Sequence, residues 1–196
     1  MKKCLICLLF AWSVAVGGLG QELSVYTEEY KPFQYLNEQG RLSGFGVELV
    51  AEMFGLAGIE FKGKRIELYP WARAFHYLKM NASSALFMTV RNETREKQFK
   101  WVGPLAPRTL WLYKLTSRQD IQLKTLEDAK SYLIGGYYQS AGLEYMQELG
   151  FKVQVFRGQS LITQLLVKGR LDLMPSLHLT MVERLKDLGL NYNVVE

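Results

Sequence analysis

Short β-rich runs alternate with apolar patterns of helical period along most of the chain, and that alternation restricts it to parallel sheets covered by helices on both faces. Residues 23–26 read as a strand, and Val47, Val50 and Phe54 mark one face of a helix that stops at Gly55. Residues 65–68 predict a second strand leading into Pro70-Trp71. Proline suits a first helical turn, and Trp71, Ala74, Phe75 and Leu78 then share one side of that helix. Residues 85–89 form an apolar run of strand length. The second half repeats the logic, with strands expected at 132–135, 153–156 and 171–174. Helices are expected around Leu143 to Leu149, capped by Gly150, around Leu161 to Leu166, ended by Gly169, and around Met181 to Leu188, before Gly189. Between the halves, residues 111–115 read as an extended crossing and 116–122 as a polar surface loop. A boundary between two lobes is expected near 107–114.

The start of the chain bears on compartment. Lys2 and Lys3 precede an apolar run over residues 4–16, and Gly18-Leu19-Gly20 supplies small residues for cleavage, the pattern of a signal peptide over 1–20. A retained membrane anchor is the alternative, but the run falls short of the roughly 20 apolar residues that a spanning helix needs. The expected localisation is therefore the periplasm. Both cysteines, Cys4 and Cys7, lie inside this leader, so disulfides, thiolate catalysis and cysteine metal sites drop out of the mature protein. His76 and His178 are too few for a metal centre without many converging carboxylates, and no cofactor is expected. The formal charge of +5 includes the two leader lysines. The remaining cations are scattered among acids without a basic, aromatic-interleaved stripe, which argues against nucleic acid as a partner. A hydrophobic content of 48% describes a properly cored globular protein.

An ordered set of short motifs then stands out: Tyr30-Lys31-Pro32-Phe33, Gly44-Phe45-Gly46-Val47-Glu48-Leu49, Asn92-Glu93-Thr94-Arg95, Trp101-Val102-Gly103-Pro104-Leu105, Ile134-Gly135 entering a polar turn at Ser140, and Gly169-Arg170-Leu171-Asp172. Together these resemble family 3 of the bacterial extracellular solute-binding proteins, which includes the polar amino acid receptors of ABC importers; Pro70-Trp71-Ala72-Arg73-Ala74 resembles a less characterised branch. The resemblance implies an α/β fold of the periplasmic binding protein type II, with two α/β lobes around a ligand cleft. It also implies a monomer that closes by hinge motion on a small molecule and then docks on an inner-membrane ABC permease or a sensor receptor. On this view residues 21–108 are lobe 1, and 109–196 are the hinge segment and lobe 2. Members of the family continue further and return to the first lobe; with Glu196 soon after Asn193-Val194-Val195, either a fragment or a reduced first lobe with a single crossing is expected.

Arg95 is the leading ligand-binding candidate. It follows an apolar strand beside Asn92, a good N-cap, so a short helix beginning there would aim backbone N–H groups and a guanidinium fork at one anion. In the resembling family the arginine at this position binds the ligand's α-carboxylate; the competing reading is a solvated arginine among Arg91, Glu93, Glu96 and Lys97. Ser140 opens a helix in the second half, either as a ligand contact or as an ordinary N-cap. Tyr30 and Phe33 fall where the family places aromatic rings against the ligand, with core packing as the alternative for Phe33. Arg73 stands in the first turn of a helix at the carboxyl end of a strand, as a second cleft cation or as a partner of Glu67; Trp71 is assigned to the core.

The departures are informative. Where amino acid receptors carry small hydroxyl residues before the arginine, this chain has Met88 and Val90, with Thr89 alone supplying a hydroxyl. Where the family offers an aspartate to the ligand's ammonium, it has Leu177. An α-amino acid would therefore need Glu28 or Glu29 to hold its ammonium, because a buried ammonium without an anion costs several kcal/mol. Asp172 is assigned a structural role. Two other functions remain open: an enzyme resembling the cyclohexadienyl dehydratases, with Glu28, Glu29 or Glu48 as acid or base, and a degenerate relative without transport function.

Overall fold

The computed structural model describes residues 23–58 and 66–196. The leader expected at 1–20 lies outside the described residues, as does Arg65 of the second expected strand.

Two sheets organise the chain. In the first, β1 (Ser24–Thr27) is the central strand, flanked in parallel by β4 (Ile66–Leu68) and β5 (Ser84–Leu86). Val25 pairs with both Ile66 and Ala85. A small antiparallel ribbon of β2 (Tyr35–Leu36) and β3 (Leu42–Ser43) and the helix α1 (Phe45–Leu56) connect β1 to β4, and α2 (Trp71–Met80) connects β4 to β5. The alternate residues of β1 and α1 explain the packing, since Val25, Val50 and Phe87 bury together against Val47, Phe54 and Ile66.

The second sheet contains β7 (Ile134–Tyr137) parallel to β8 (Val153–Phe156). Beside β7 runs the segment entering β9 (Met174–Ser176), through an Ile134–Leu173 bridge, and β6 (Trp111–Tyr113) pairs antiparallel with β9. The helices α4 (Ala141–Glu148), α5 (Gln159–Val167) and α6 (His178–Asp187) cover it. Ile162, Leu166, Leu171, Met174, Met181 and Leu185 form one buried cluster, and Ile134, Met146, Phe151 and Leu173 another. Glycine in a central strand normally weakens it, yet β7 carries Gly135 and Gly136. A Cβ at Gly136 would stand 2.6 Å from Val153 Cγ1, and one at Gly135 would run into Leu171, so close packing excludes larger side chains from this strand.

The structure shifts several boundaries. β7 begins two residues later than expected, and the 171–174 strand is centred further along. The run 85–89 stops being a strand at Leu86 because Met88 takes φ 56 and breaks the ladder. The polar loop 116–122 hides a fully buried Ile121 against Ile134 and Leu173. Asp172 accepts hydrogen bonds from Arg118 Nη1 at 2.6 Å and Leu133 N at 2.9 Å, which ties the crossing region to the second sheet.

Parallel strands send their carboxyl ends to one edge, and ligands gather where neighbouring strands are left in opposite directions, as β1 is by β4 and β5. Residues 28–30 after β1, Trp71 after β4 and residues 88–90 after β5 all lie at that edge. Across from them stand residues 137–140 after β7 and Gln159 after β8.

Candidate functional site

These loops enclose an inner cavity of about 70 Å³ that continues into an outer groove of about 380 Å³; Glu28, Tyr30, Tyr137, Gln159 and Arg184 line both. Arg95 is at the inner end. Asn92 caps the one-turn helix α3 (Glu93–Glu96) by accepting from Arg95 N at 3.1 Å, and the cap turns the Arg95 side chain inward, where it is 2% exposed. The guanidinium lies 5.2 Å from the Trp71 ring and 4.9 Å from the Phe75 ring, a cation held against aromatic faces.

Arg95 also reaches the second lobe. Its Nη2 donates to Gln139 O at 3.1 Å and to Glu144 Oε1 at 2.8 Å, and Asn92 Nδ2 donates to the other Glu144 oxygen. Trp71 Nε1 donates to the same Gln139 carbonyl at 2.6 Å. Gln139 can present that carbonyl because it adopts φ 57, a left-handed conformation rarely taken by a non-glycine residue. Together with Met88 it makes up the described non-glycine residues of positive φ; Met88 lines the cavity, and Gln139 sits behind its wall, bonded to the lining residues Trp71 and Arg95. Strained backbone of this kind gathers at ligand sites, where the surrounding fold enforces it. Arg95 Nε and Nη1 are buried donors without a hydrogen-bond partner. An anion would supply the acceptors that such donors lack.

Glu28 lines the same cavity as Arg95. Its carboxylate accepts from Gln159 Nε2 at 3.0 Å. Burial raises its pKa to about 7 against the opposing pull of Arg184, the Gln159 hydrogen bond, Arg108 and Arg95. Because the folded-state value lies above the ordinary 4.5, folding is favoured below pH 4.5 and this contribution is lost as pH rises through about 7. We expect Glu28→Gln to raise the melting temperature relative to the parent at about pH 8 by roughly 4–8 °C, on the order of 2 kcal/mol, and to leave it nearly unchanged at about pH 4; paired thermal melts check this. Burial, and next Glu28, also push the Tyr137 phenol up to about 12, so it stays protonated.

The other expected site residues divide. Tyr30 lines both compartments. Phe33 does not reach the cavity but stacks behind Tyr30, ring centroids 6.2 Å apart. Ser140 lines the cavity while its Oγ accepts from Leu143 N as the N-cap of α4, so its N-cap role is in place and its hydroxyl proton remains available. Thr89 turns away and donates to Leu86 O at 3.0 Å, whereas Met88, in its left-handed conformation, and Val90 line the cavity. Arg73 is exposed and lines neither compartment. It stands two residues from Trp71, and two helical steps rotate a side chain to roughly the opposite face. Trp71, assigned to the core, is buried and is also a wall of the cavity. Glu29 borders only the outer groove, and Glu48 is exposed and borders neither compartment. Leu177 precedes α6 without lining the cavity; Arg184, from the second turn of that helix, enters it instead and was not anticipated. Among the described residues no group of His, Cys, Asp and Glu is arranged to hold a metal, and no helix is long and apolar enough to cross a membrane.

No protein-family model matches the chain, and no curated protein matches it. Solved structures do. A histidine kinase sensor domain with similarity to periplasmic binding proteins matches with a TM-score of 0.74 at 18% identity, over 88% of this chain and 74% of that one. The arginine-, lysine-, histidine-binding protein ArtJ from Geobacillus stearothermophilus matches with a TM-score of 0.69 at 20% identity, over 89% and 74%. The ancestral amino acid-binding protein AncCDT-1, a precursor of cyclohexadienyl dehydratase, matches with a TM-score of 0.66 at 18% identity, over 84% and 74%. The fold is thus the two-lobe α/β fold of periplasmic-binding-protein-like domains.

Proposed function

We propose that this chain is a solute-binding protein of extracellular family 3 that captures a small carboxylate-bearing molecule between its lobes, in the periplasm, for an ABC importer or a sensor. The observation that carries the reading is Arg95: buried to 2% exposure at the inner end of the cleft, with Nε and Nη1 lacking partners. A buried polar donor without an acceptor costs about 1–3 kcal/mol, which an arriving carboxylate would recover. In this reading residues 1–20 are removed on export, 21–108 form the first lobe, and 109–196 form the crossing and the second lobe. Tyr30, Glu28 and Ser140 contact the ligand beside Arg95, and Phe33 supports Tyr30. The comparisons support the reading through solute-binding proteins of the same fold.

The test is a thermal-shift screen of the purified protein against amino acids, organic acids and polyamines. A carboxylate present at a hundred times its Kd would stabilise the fold by about 2.7 kcal/mol, which reads as roughly 5–10 °C. A flat response to every carboxylate would end the proposal. A second reading, catalysis, draws on Glu28, since a carboxyl group that titrates near neutrality suits general acid–base work. Turnover of a hydroxylated cyclic acid, abolished by Glu28→Gln, would establish it in place of simple binding.

A further inference from the structure

The charges lining the inner cavity are unbalanced. Three guanidinium groups, those of Arg95, Arg108 and Arg184, face a single carboxylate, Glu28. Arg95 has one acidic partner, Glu144, which does not line the cavity. Arg184 has none: among the described residues it makes no hydrogen bond or ion pair, and its near contact is the face of Tyr30, 5.5 Å from the guanidinium carbon. Burial lowers its pKa, as expected for a cation taken from water without a paired anion. Glu28 offsets this weakly, since near neutrality part of the population holds it protonated. The rest of the wall includes apolar side chains such as Met88, Leu110 and Ile162.

A site of this make-up fits a molecule with an acid at each end and hydrocarbon between. Resting on the proposed binding role, we infer that the ligand is a short dicarboxylate, with one carboxylate on the free donors of Arg95 and the other on Arg184, Arg108 standing nearby. The same arrangement disfavours basic amino acids, whose side-chain cation would enter a cavity already rich in positive charge and short of acids. The solute class is therefore opposite in charge to that named for ArtJ, despite the common fold.

The experiment is calorimetric titration of the purified protein with succinate, glutarate, butyrate, L-arginine and L-lysine, repeated on Arg184→Gln and Arg184→Lys. The expected result is that succinate or glutarate binds at least tenfold tighter than butyrate. Arg184→Gln should abolish that advantage by weakening succinate and glutarate far more than butyrate, while Arg184→Lys, which keeps the charge without the fork, retains part of it. If butyrate binds as tightly as the diacids, or if arginine or lysine binds tighter than either, the dicarboxylate assignment is overturned while the binding role stands. An advantage that survives intact in Arg184→Gln likewise overturns the assignment to Arg184. Failure of every probe to bind, with none of the wider carboxylate screen binding either, removes the binding role and this inference together.

Discussion

Arg95→Ala shows no thermal shift with any carboxylate that stabilises the parent protein. Truncating one side of a buried, hydrogen-bonded charge pair costs about 2–5 kcal/mol, or thirtyfold or more in affinity, and Arg95 is positioned to make such a pair from full burial. The loss has a second source. Arg95 Nη2 also ties the first lobe to Gln139 and Glu144 of the second, so alanine weakens closure as well as grip. Glu144 is the less buried partner, with a side chain 29% exposed, and can take up water when the arginine is gone, which keeps the variant folded. Arg95→Lys separates the two effects: it preserves charge but not the planar fork, and an intermediate affinity is expected. A shift of parental size in Arg95→Ala would show that the ligand is held elsewhere.

Gly44→Ala lowers the melting temperature by at least about 6 °C, corresponding to a loss of about 3 kcal/mol or more. Gly44 precedes α1 with φ 112 and ψ 164, a region open essentially to glycine. A Cβ there would lie 2.6 Å from Phe33 O and 2.7 Å from Pro32 O, and backbone oxygens cannot swing aside as side chains do. Phe33 O is itself committed, accepting from Gly46 N at 2.7 Å, and the turn it belongs to is closed by Tyr30 N donating to Gln34 O at 2.6 Å. The strain thus falls on the loop that carries Tyr30 to the cleft, and ligand affinity should drop with stability. Gly40→Ala is the control: its φ is +68, but nothing lies within 4 Å of an added Cβ, so only the smaller cost of a left-handed alanine, about 1–2 kcal/mol, applies. Equal melting temperatures for the two variants would contradict this account of Gly44.

How far the site could be read in advance varies residue by residue. The α/β class was legible because the core patterns are local: the strand expected at residues 153–156 coincides with β8, and Leu166, Met181 and Leu185 are all buried as their helical spacing requires. Arg95 was legible because Asn92 announces the cap that orients it. Trp71 was not, since one apolar helical face carries Ala74 and Phe75 into the core and the indole into the cavity wall, and periodicity does not separate a core from a cleft behind it. Arg184 stayed hidden because the spacing of Met181, Leu185 and Leu188 defines the helix without saying what its charged residues meet, and its neighbour Tyr30 is remote in sequence. Gln139 acts through a main-chain carbonyl in a left-handed turn, and side-chain patterns carry no record of that.

The indole of Trp71 has a consequence for measurement. Its N–H is bonded across the lobes to Gln139, and a guanidinium lies against its ring, so separation of the lobes would expose it to water and change its polarity at once. Tryptophan emission is sensitive to both changes. Once Trp12, Trp101 and Trp111 are silenced by phenylalanine, Trp71 is the one indole left, and any separation of the two halves can be followed in stopped flow without an attached dye.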